Sequence, residues 1–269
     1  MSFHQNIRSQ AVEVLSNSSR VDIRLNHTLR LLSKWRSVLV ANTLLHHEAS
    51  RVLNGPFQGM NFHSAASEGC LVPKLLGCYE QPLHPFLEAA FARDYDVVLN
   101  IGSAEGYYAV GLALRMPEAR ICAFDISEVA REKSVVLARA NNVAERVQVG
   151  GRFSPPDFEA HRGAAVLVVC DIEGAERELL DPEKASALKH MDIIVESHDC
   201  IVSGTTSLLM ERFQSTHEIE LVADNGSRTL QDPPSWFNDL AHLDQVLATW
   251  EWRSGPTPWL VMNSKCSRD

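Results

Sequence analysis

Apolar positions along this chain keep one rhythm up to about residue 52 and a different one beyond residue 96. From about Gln5 to Val52 they recur at three- and four-residue steps: Val12 and Leu15, then Leu25, Leu29, Leu32, Trp35 and Leu39. That spacing places them on one face of a helix, so the N-terminal stretch is expected to be helical. Asn54-Gly55-Pro56 stops the pattern, because Gly and Pro both break helices. Phe57 to Leu83 follows no period, and a helix is expected from about Pro85 to Arg93. Beyond it, short β-branched runs alternate with helical stretches, which predicts a parallel sheet with right-handed crossovers. Strands are predicted at Val97–Ile101, Arg120–Phe124, Val147–Val149, Ala165–Cys170 and Asp192–Glu196, and later at Glu218–Ala223 and Trp259–Met262. Helices are expected at Tyr107–Arg115, Val129–Asn141, Ala175–Leu180, Ser207–Gln214 and Ser235–Trp250.

The first of these strands changes the picture most. Asp96-Val-Val-Leu-Asn-Ile101 runs into Gly102-Ser-Ala-Glu-Gly106 and then into the helical Tyr107-Tyr108. A buried strand, a glycine loop and a helix N-terminus in that order present backbone N–H groups to a ligand. A dinucleotide site would need a glycine where Ser103 and Ala104 stand. Glu105 would repel a pyrophosphate and suits a cationic amine. Asp125, ending the second strand, is placed to accept from both hydroxyls of a ribose. Adenosine joined to a cationic amino acid describes S-adenosylmethionine better than NAD. The plainer alternative is that Gly102 and Gly106 merely permit the turn.

Composition narrows the rest. At 269 residues the chain can bury a large core. A formal charge of −9 argues against a nucleic-acid surface. No apolar run reaches the length of a membrane span and Met1–Arg20 lacks the apolar centre of a signal peptide, so a cytoplasmic protein is expected. The six cysteines form no CxxC pair and are expected to be reduced, most of them buried.

Val97–Gly106 with Tyr107-Tyr108, Phe124-Asp125 and, above all, Val169-Cys-Asp-Ile-Glu-Gly-Ala-Glu-Arg-Glu-Leu-Leu180 resemble the class I S-adenosylmethionine-dependent methyltransferases. Within them the likeness is to the FkbM-like group, and Leu76-Gly-Cys-Tyr-Glu80 adds to it. It covers about Leu75 to Ser203. The resemblance implies a Rossmann-like α/β fold: a seven-stranded, mostly parallel sheet with helices on both faces and an antiparallel last strand. The change of pattern along the chain divides it into an N-terminal helical extension and lid or substrate segment (1–84) and a cofactor-binding domain (85–269). The resemblance also implies that Gly102, Ser103, Glu105 and Gly106 surround the methionine part of the cofactor, with Asp171 beside them. Asp125 would hold the ribose, Ile126 would lie against the adenine, and Tyr79 and Glu80 would close over the cofactor. Relatives with an acid after the third strand differ from this chain, which has Gly150-Gly151-Arg152-Phe153; Phe153 is either a stacking partner for adenine or a plain core aromatic.

Candidate reacting groups follow the fourth and fifth strands: Asp171 and Glu173, then Glu196, His198 and Asp199. Strand ends of an open parallel sheet share one crevice, so these positions are expected to converge. If the acceptor is a hydroxyl, His198 is the side chain suited to take its proton near neutral pH, with Glu196 and Asp171 beside it. The plainer alternative is a histidine bonded to backbone. Asp171, Glu196, His198 and Asp199 are also a plausible Mg²⁺ set, but not the favoured one, because carboxylates at strand ends also cap helices. His46-His47-Glu48 is expected to be a solvated face, His63 and His84 to be structural, and Trp236, Trp250, Trp252 and Trp259 to pack the last strands. The expected activity is methylation of a small molecule, O-methylation first. Aminocarboxypropyl transfer, ring closure of the cofactor, and a non-catalytic binding protein on the same fold stay open. The N-terminal helices are expected to form a lid or a homodimer contact.

Overall fold

The computed structural model describes residues 2–48, 50–62, 70–253 and 255–266. Seven strands form one sheet: β1 (Val97–Ile101), β2 (Arg120–Phe124), β3 (Val147–Gly150), β4 (Val166–Cys170), β5 (Asp192–Glu196), β6 (His217–Val222) and β7 (Trp259–Ser264). Their order is β3-β2-β1-β4-β5-β7-β6. β1 to β5 pair in parallel, and β7 runs antiparallel to β5 and β6. The expected Rossmann-like sheet is the observed one.

β1, β4 and β5 are buried along their whole length. Successive side chains point to opposite faces. Val97, Leu99 and Ile101 join Ile193 and Val195 in one cluster with Phe158, Leu180 and Phe213, while Val98 and Ile194 join Val110, Leu112 and Leu137 in the other. Covering both faces is what gives these strands their unbroken apolar sequences. Asn100 is the exception within β1, and it lies on the Val98 side.

The N-terminal stretch is two helices, Phe3–Ser16 and Val21–His47, rather than one run to Val52. Asn17 breaks it: its side-chain oxygen accepts the Ser19 N–H at 3.0 Å, and Asn and Ser offer the backbone partners that compete with a helix. The long helix buries Val40, Ala41 and Leu44 in the same cluster as Val98. Arg36 ties it to the helix His242–Thr249 through two 2.6 Å bonds to Asp244. Its outer face leaves Val21, Leu25, Leu29 and Leu32 exposed.

Two other expectations need correction. The irregular segment contains a helix, Leu71–Leu76, ended by Gly77 in the left-handed conformation, and Ser235–Trp250 is two short helices, Ser235–Asn238 and His242–Thr249. Pro73 and the brevity of the first helix hid it from any periodic signal. All six cysteines are free and four are buried. Among the described residues no helix is long and apolar enough to cross a membrane.

Candidate active site

The chain lays β1, steps outward through β2 and β3, and then returns to place β4 on the other side of β1. Loops leaving the ends of β1 and β4 therefore part, which opens a crevice at the carboxyl edge of the sheet. A cavity of about 490 Å³ lies there, within the ~300–1,000 Å³ usual for small-molecule sites. Its floor is Asn100, Val169 and the Gly102-Ser103-Ala104 loop; Asp171, Glu173, Glu196 and His198 form one wall. Tyr79, Tyr107, Tyr108, Trp259 and a strap bearing Glu251, Trp252, Arg253 and Thr257 also line it.

The glycine loop is shaped by close approach. Gly102 has φ +81°, and a Cβ there would lie 1.6 Å from the Asp171 carbonyl oxygen, so no other residue fits. Gly102 and Ser103 both donate their N–H to the Phe124 carbonyl, at 2.8 and 2.9 Å. Asp125 fastens the same loop: it accepts from the Ala104 N–H at 2.8 Å and the Ser127 N–H at 2.7 Å. A carboxylate offers about four lone-pair positions, so about two remain for a ligand's hydroxyls.

Several expected cofactor residues face elsewhere. Glu105 is fully buried and pairs with Lys74 at 2.6 Å; it does not line the cavity. Lys74 is the member of that pair on the cavity wall, with its ammonium 4.8 Å from the Tyr79 ring and 5.4 Å from the Tyr107 ring. A buried carboxylate needs a cation, and the helix Leu71–Leu76 supplies one. Glu80 is buried too, accepting from the Tyr108 hydroxyl and from Arg253 at 2.6 Å, outside the cavity wall. Phe153 packs between Phe124 and Phe158, at centroid distances of 4.7 and 4.8 Å, as a core aromatic. Ile126 is 84% exposed beyond the cavity. Tyr79, Gly102, Ser103 and Asp171 do line it, whereas Gly106 and Asp125 are not part of its lining.

The strand-end acids converge as expected. His198 is 3% exposed, and its Nδ1 lies 2.8 Å from Glu176. Its Nε2 faces Glu173, Asp171 and Glu196 at 3.4, 3.6 and 3.8 Å. Burial works against the imidazolium, but Glu176, Glu196 and Glu173 outweigh it and raise the His198 pKa. Burial, reinforced by Glu196 and Glu80, pushes Asp171 well above the usual carboxylate range. Burial and Glu196 also push Glu80 up to about 7, against the pull of Arg253. That guanidinium is the counterweight of the whole cluster, bonding Glu80, Glu196 and Glu251.

The residues do not fit a resident Mg²⁺. Asp199 is drawn away, accepting from Gly204 N–H at 2.8 Å and Thr206 N–H at 3.0 Å to cap the helix Thr205–Phe213. Among the described residues Asp171, Glu196 and His198 do bring ligand atoms within 4.8 Å of one another. Arg253, however, already binds Glu196, so one of the three carboxylate and imidazole ligands is engaged by a cation. A cationic organic group meets no such obstacle, because it needs charge and hydrogen bonds rather than coordination.

Asn100, Lys74, Tyr108, Trp252 and Arg253 were not anticipated here. Asn100 is 2% exposed; its Nδ2 reaches the Val169 carbonyl, and its Oδ1 has no partner among the described residues. The Ser103 hydroxyl beside it has none either. Buried polar atoms are normally bonded, so two orphans on a cavity floor point to a ligand that bonds them. An amide inside an apolar strand was the available signal for Asn100. Trp252 lies on the cavity wall with Lys34 5.1 Å over its ring, rather than packing the last strands. His84 bonds the Tyr79 carbonyl at 2.8 Å, a structural role. His47 stacks on Trp236, and Glu48 accepts from that indole at 3.1 Å, so this face is partly packed. His63 lies outside the described residues.

No family model and no curated protein matches the chain. Solved structures do. The chain is similar to cofactor-bound Rv0187 from MTB (15% identity, 91% of this chain, 97% of that one, TM-score 0.43). It is also similar to a SAM-dependent O-methyltransferase from Thermotoga maritima (11%, 71% and 66%, TM-score 0.42). A third is precorrin-6y C5,15-methyltransferase from Geobacter metallireducens (12%, 66% and 86%, TM-score 0.42). Likeness at this level carries no argument about activity, which must come from the site.

Proposed function

We propose that the protein is an S-adenosylmethionine-dependent methyltransferase of the FkbM-like kind, acting on a small molecule, with a hydroxyl oxygen as the atom methylated. The observation that carries this reading is the cavity floor: unpartnered Asn100 Oδ1 and Ser103 Oγ sit beneath a wall of Asp171, Glu173 and Glu196, at the switch point of the sheet. Acceptors and anions gathered there suit a ligand bearing both an ammonium and a second positive centre. S-adenosylmethionine, when bound, would supply an electrophilic methyl on such a centre. Asn100 Oδ1, rather than Glu105, would take its ammonium, and Asp125 would hold its ribose with the lone pairs left over from Ala104 and Ser127. Tyr108 and Trp252, which also line the cavity, would screen the acceptor from water. His198 would hold the acceptor's proton on Nε2, and placement of the two reactants does most of the rest.

Isothermal calorimetry tests the reading. The protein should bind S-adenosylmethionine, and Asp125→Ala should weaken it by at least about 100-fold, two charge-assisted hydrogen bonds at ~1.5–3 kcal/mol each. Unchanged affinity in a folded variant removes the ribose assignment, and no binding by the wild type removes the function. Methylthioadenosine as the nucleoside product, in place of S-adenosylhomocysteine, would reassign the reaction to aminocarboxypropyl transfer or ring closure.

A further inference from the structure

We infer that Glu176 is the positioning residue for His198, fixing the imidazole so that Nε2 is the atom presented to the acceptor; this rests on the methyl-transfer reading above. Glu176 belongs to the Asp171-Ile-Glu-Gly-Ala-Glu176 segment, and the geometry gives each polar member of that segment a place around one imidazole. Glu176 is fully buried. One of its oxygens takes the His198 Nδ1 at 2.8 Å and also accepts from the Gly174 N–H at 3.0 Å. Glu173, with φ +52°, and Gly174, with φ +104°, reverse the chain so that Glu176 can turn back toward the sheet edge. Packing also favours glycine at 174. A Cβ there would meet Ile201 at 3.0 Å and Val202 at 3.2 Å, in the turn that starts from His198.

The charge on Glu176 decides the tautomer. Burial works against its ionisation, but His198 and the Gly174 N–H hold it below the usual carboxylate range, so it is an acceptor only. Nδ1 must then carry the proton, which leaves the lone pair of the neutral ring on Nε2, facing the cavity. The charged groups that face the ring from the other elements are Asp171 and Glu173 after β4 and Glu196 at the end of β5, itself held by Arg253 from the strap. Asp199, next in sequence, is bonded away to Thr206. In the step served, the acceptor oxygen bonds the methyl carbon as the carbon–sulfur bond breaks with its electron pair left on sulfur. The hydroxyl proton passes to Nε2. The resulting imidazolium keeps its Nδ1–H on Glu176.

Histidine NMR on the whole chain tests this without any substrate. In the wild type His198 should titrate above the 6.5 usual for histidine, and above that point its ¹⁵N shifts should report the Nδ1–H tautomer. The opposite tautomer overturns the inference, and this readout needs no variant to fold. Glu176→Gln keeps an acceptor but removes the charge, and should lower the His198 pKa by about one to three pH units; Glu176→Asp should restore much of it. S-adenosylmethionine affinity, by calorimetry, should stay within about two-fold of wild type in both. An unmoved His198 titration in Glu176→Gln overturns the inference. A shifted titration in a protein that binds no S-adenosylmethionine upholds the Glu176–His198 pair and ends the methyl-transfer reading instead. With both in place, His198→Ala should keep the cofactor and stop release of S-adenosylhomocysteine in the presence of hydroxylated acceptors. Undiminished release would show that Nε2 takes no proton.

Discussion

Replacing Glu80 by Gln should make the protein more stable at neutral pH, although it deletes half of a buried ion pair. Glu80 is 2% exposed, accepts from Tyr108 and Arg253, and shares that guanidinium with Glu196 and Glu251. Burial is the main cost of ionising it, and two guanidiniums, Arg253 and Arg228, among Glu80, Glu196, Glu251 and Asp224 leave the group short of positive charge. Its carboxyl therefore sits at about 7 in the folded protein, against 4.5 when unfolded. A group whose folded pKa is raised gives its full stabilisation below the unfolded pKa and loses it as pH rises through the folded one. The window is thus pH 4.5 to about 7, and at ~1.36 kcal/mol per pH unit the loss is about 3 kcal/mol. Below pH 4.5, wild type and Glu80→Gln should unfold alike, since a protonated carboxyl and an amide are near isosteres. Above pH 7 the variant should lead by about 3 kcal/mol, a difference read from urea unfolding midpoints between pH 4 and 9. A variant that instead loses ground as pH rises would mean that Arg253 outweighs burial and Glu196, and the account of the acidic cluster would be wrong.

The buried Lys74–Glu105 pair joins an ammonium directly to a carboxylate at 2.6 Å. Lys74→Met should destabilise by about 3–5 kcal/mol, because a fully buried carboxylate loses its ammonium; the Lys74→Met/Glu105→Leu double variant should recover much of it. Equal losses in both variants would show that the pair is not the cause. Asn100→Ala should cost only about 1 kcal/mol of stability, for the one 3.4 Å bond from its Nδ2 to the Val169 carbonyl. It should nevertheless weaken S-adenosylmethionine binding about ten-fold, the worth of one charge-assisted bond of ~1.5 kcal/mol at its Oδ1, which bonds nothing in the described structure. A loss of stability without a loss of affinity would return Asn100 to a structural role.

Periodicity alone placed all seven strands within two residues, because strands buried on both faces carry unbroken apolar runs that little else imitates. The helix Leu71–Leu76 escaped, being too short to show a period and interrupted by Pro73. Side-chain direction was the harder problem. The loop sequence put Glu105 where an amine could meet it, but nothing in the sequence said that Lys74, thirty-one positions earlier, would claim it from within. His198 with Asp171, Glu173 and Glu196 was legible because open sheets gather their carboxyl edges. The strap was not: Arg253 reaches Glu80 and Glu196 from 173 and 57 positions away, with no motif to mark it. Asn100 is marked only as a lone amide in Val-Val-Leu-Asn-Ile, a polar side chain in an otherwise apolar strand, with no motif that gives it a role.

The acidic cluster links stability to ligand choice through the same protons. Asp171 and Glu80 are both raised by burial and by Glu196, so near neutral pH part of the cluster carries hydrogen rather than charge. A cationic ligand seated against Asp171 and Glu196 makes ionisation cheaper and releases those protons. A unit charge about 6 Å away is worth ~3 kcal/mol at an effective dielectric of ~20, about two pH units on one carboxyl. Affinity for such a ligand must then rise with pH until the carboxyls are already bare. A phosphate would have to bring protons in with it and would lose affinity over the same range. The Asp171, Glu173 and Glu196 side of the cavity therefore favours a cationic group over a phosphate, while Lys34, Lys74 and Arg253 line other parts of it. S-adenosylmethionine affinity that fell between pH 6 and 8, with the protein still folded, would contradict this ordering at its root.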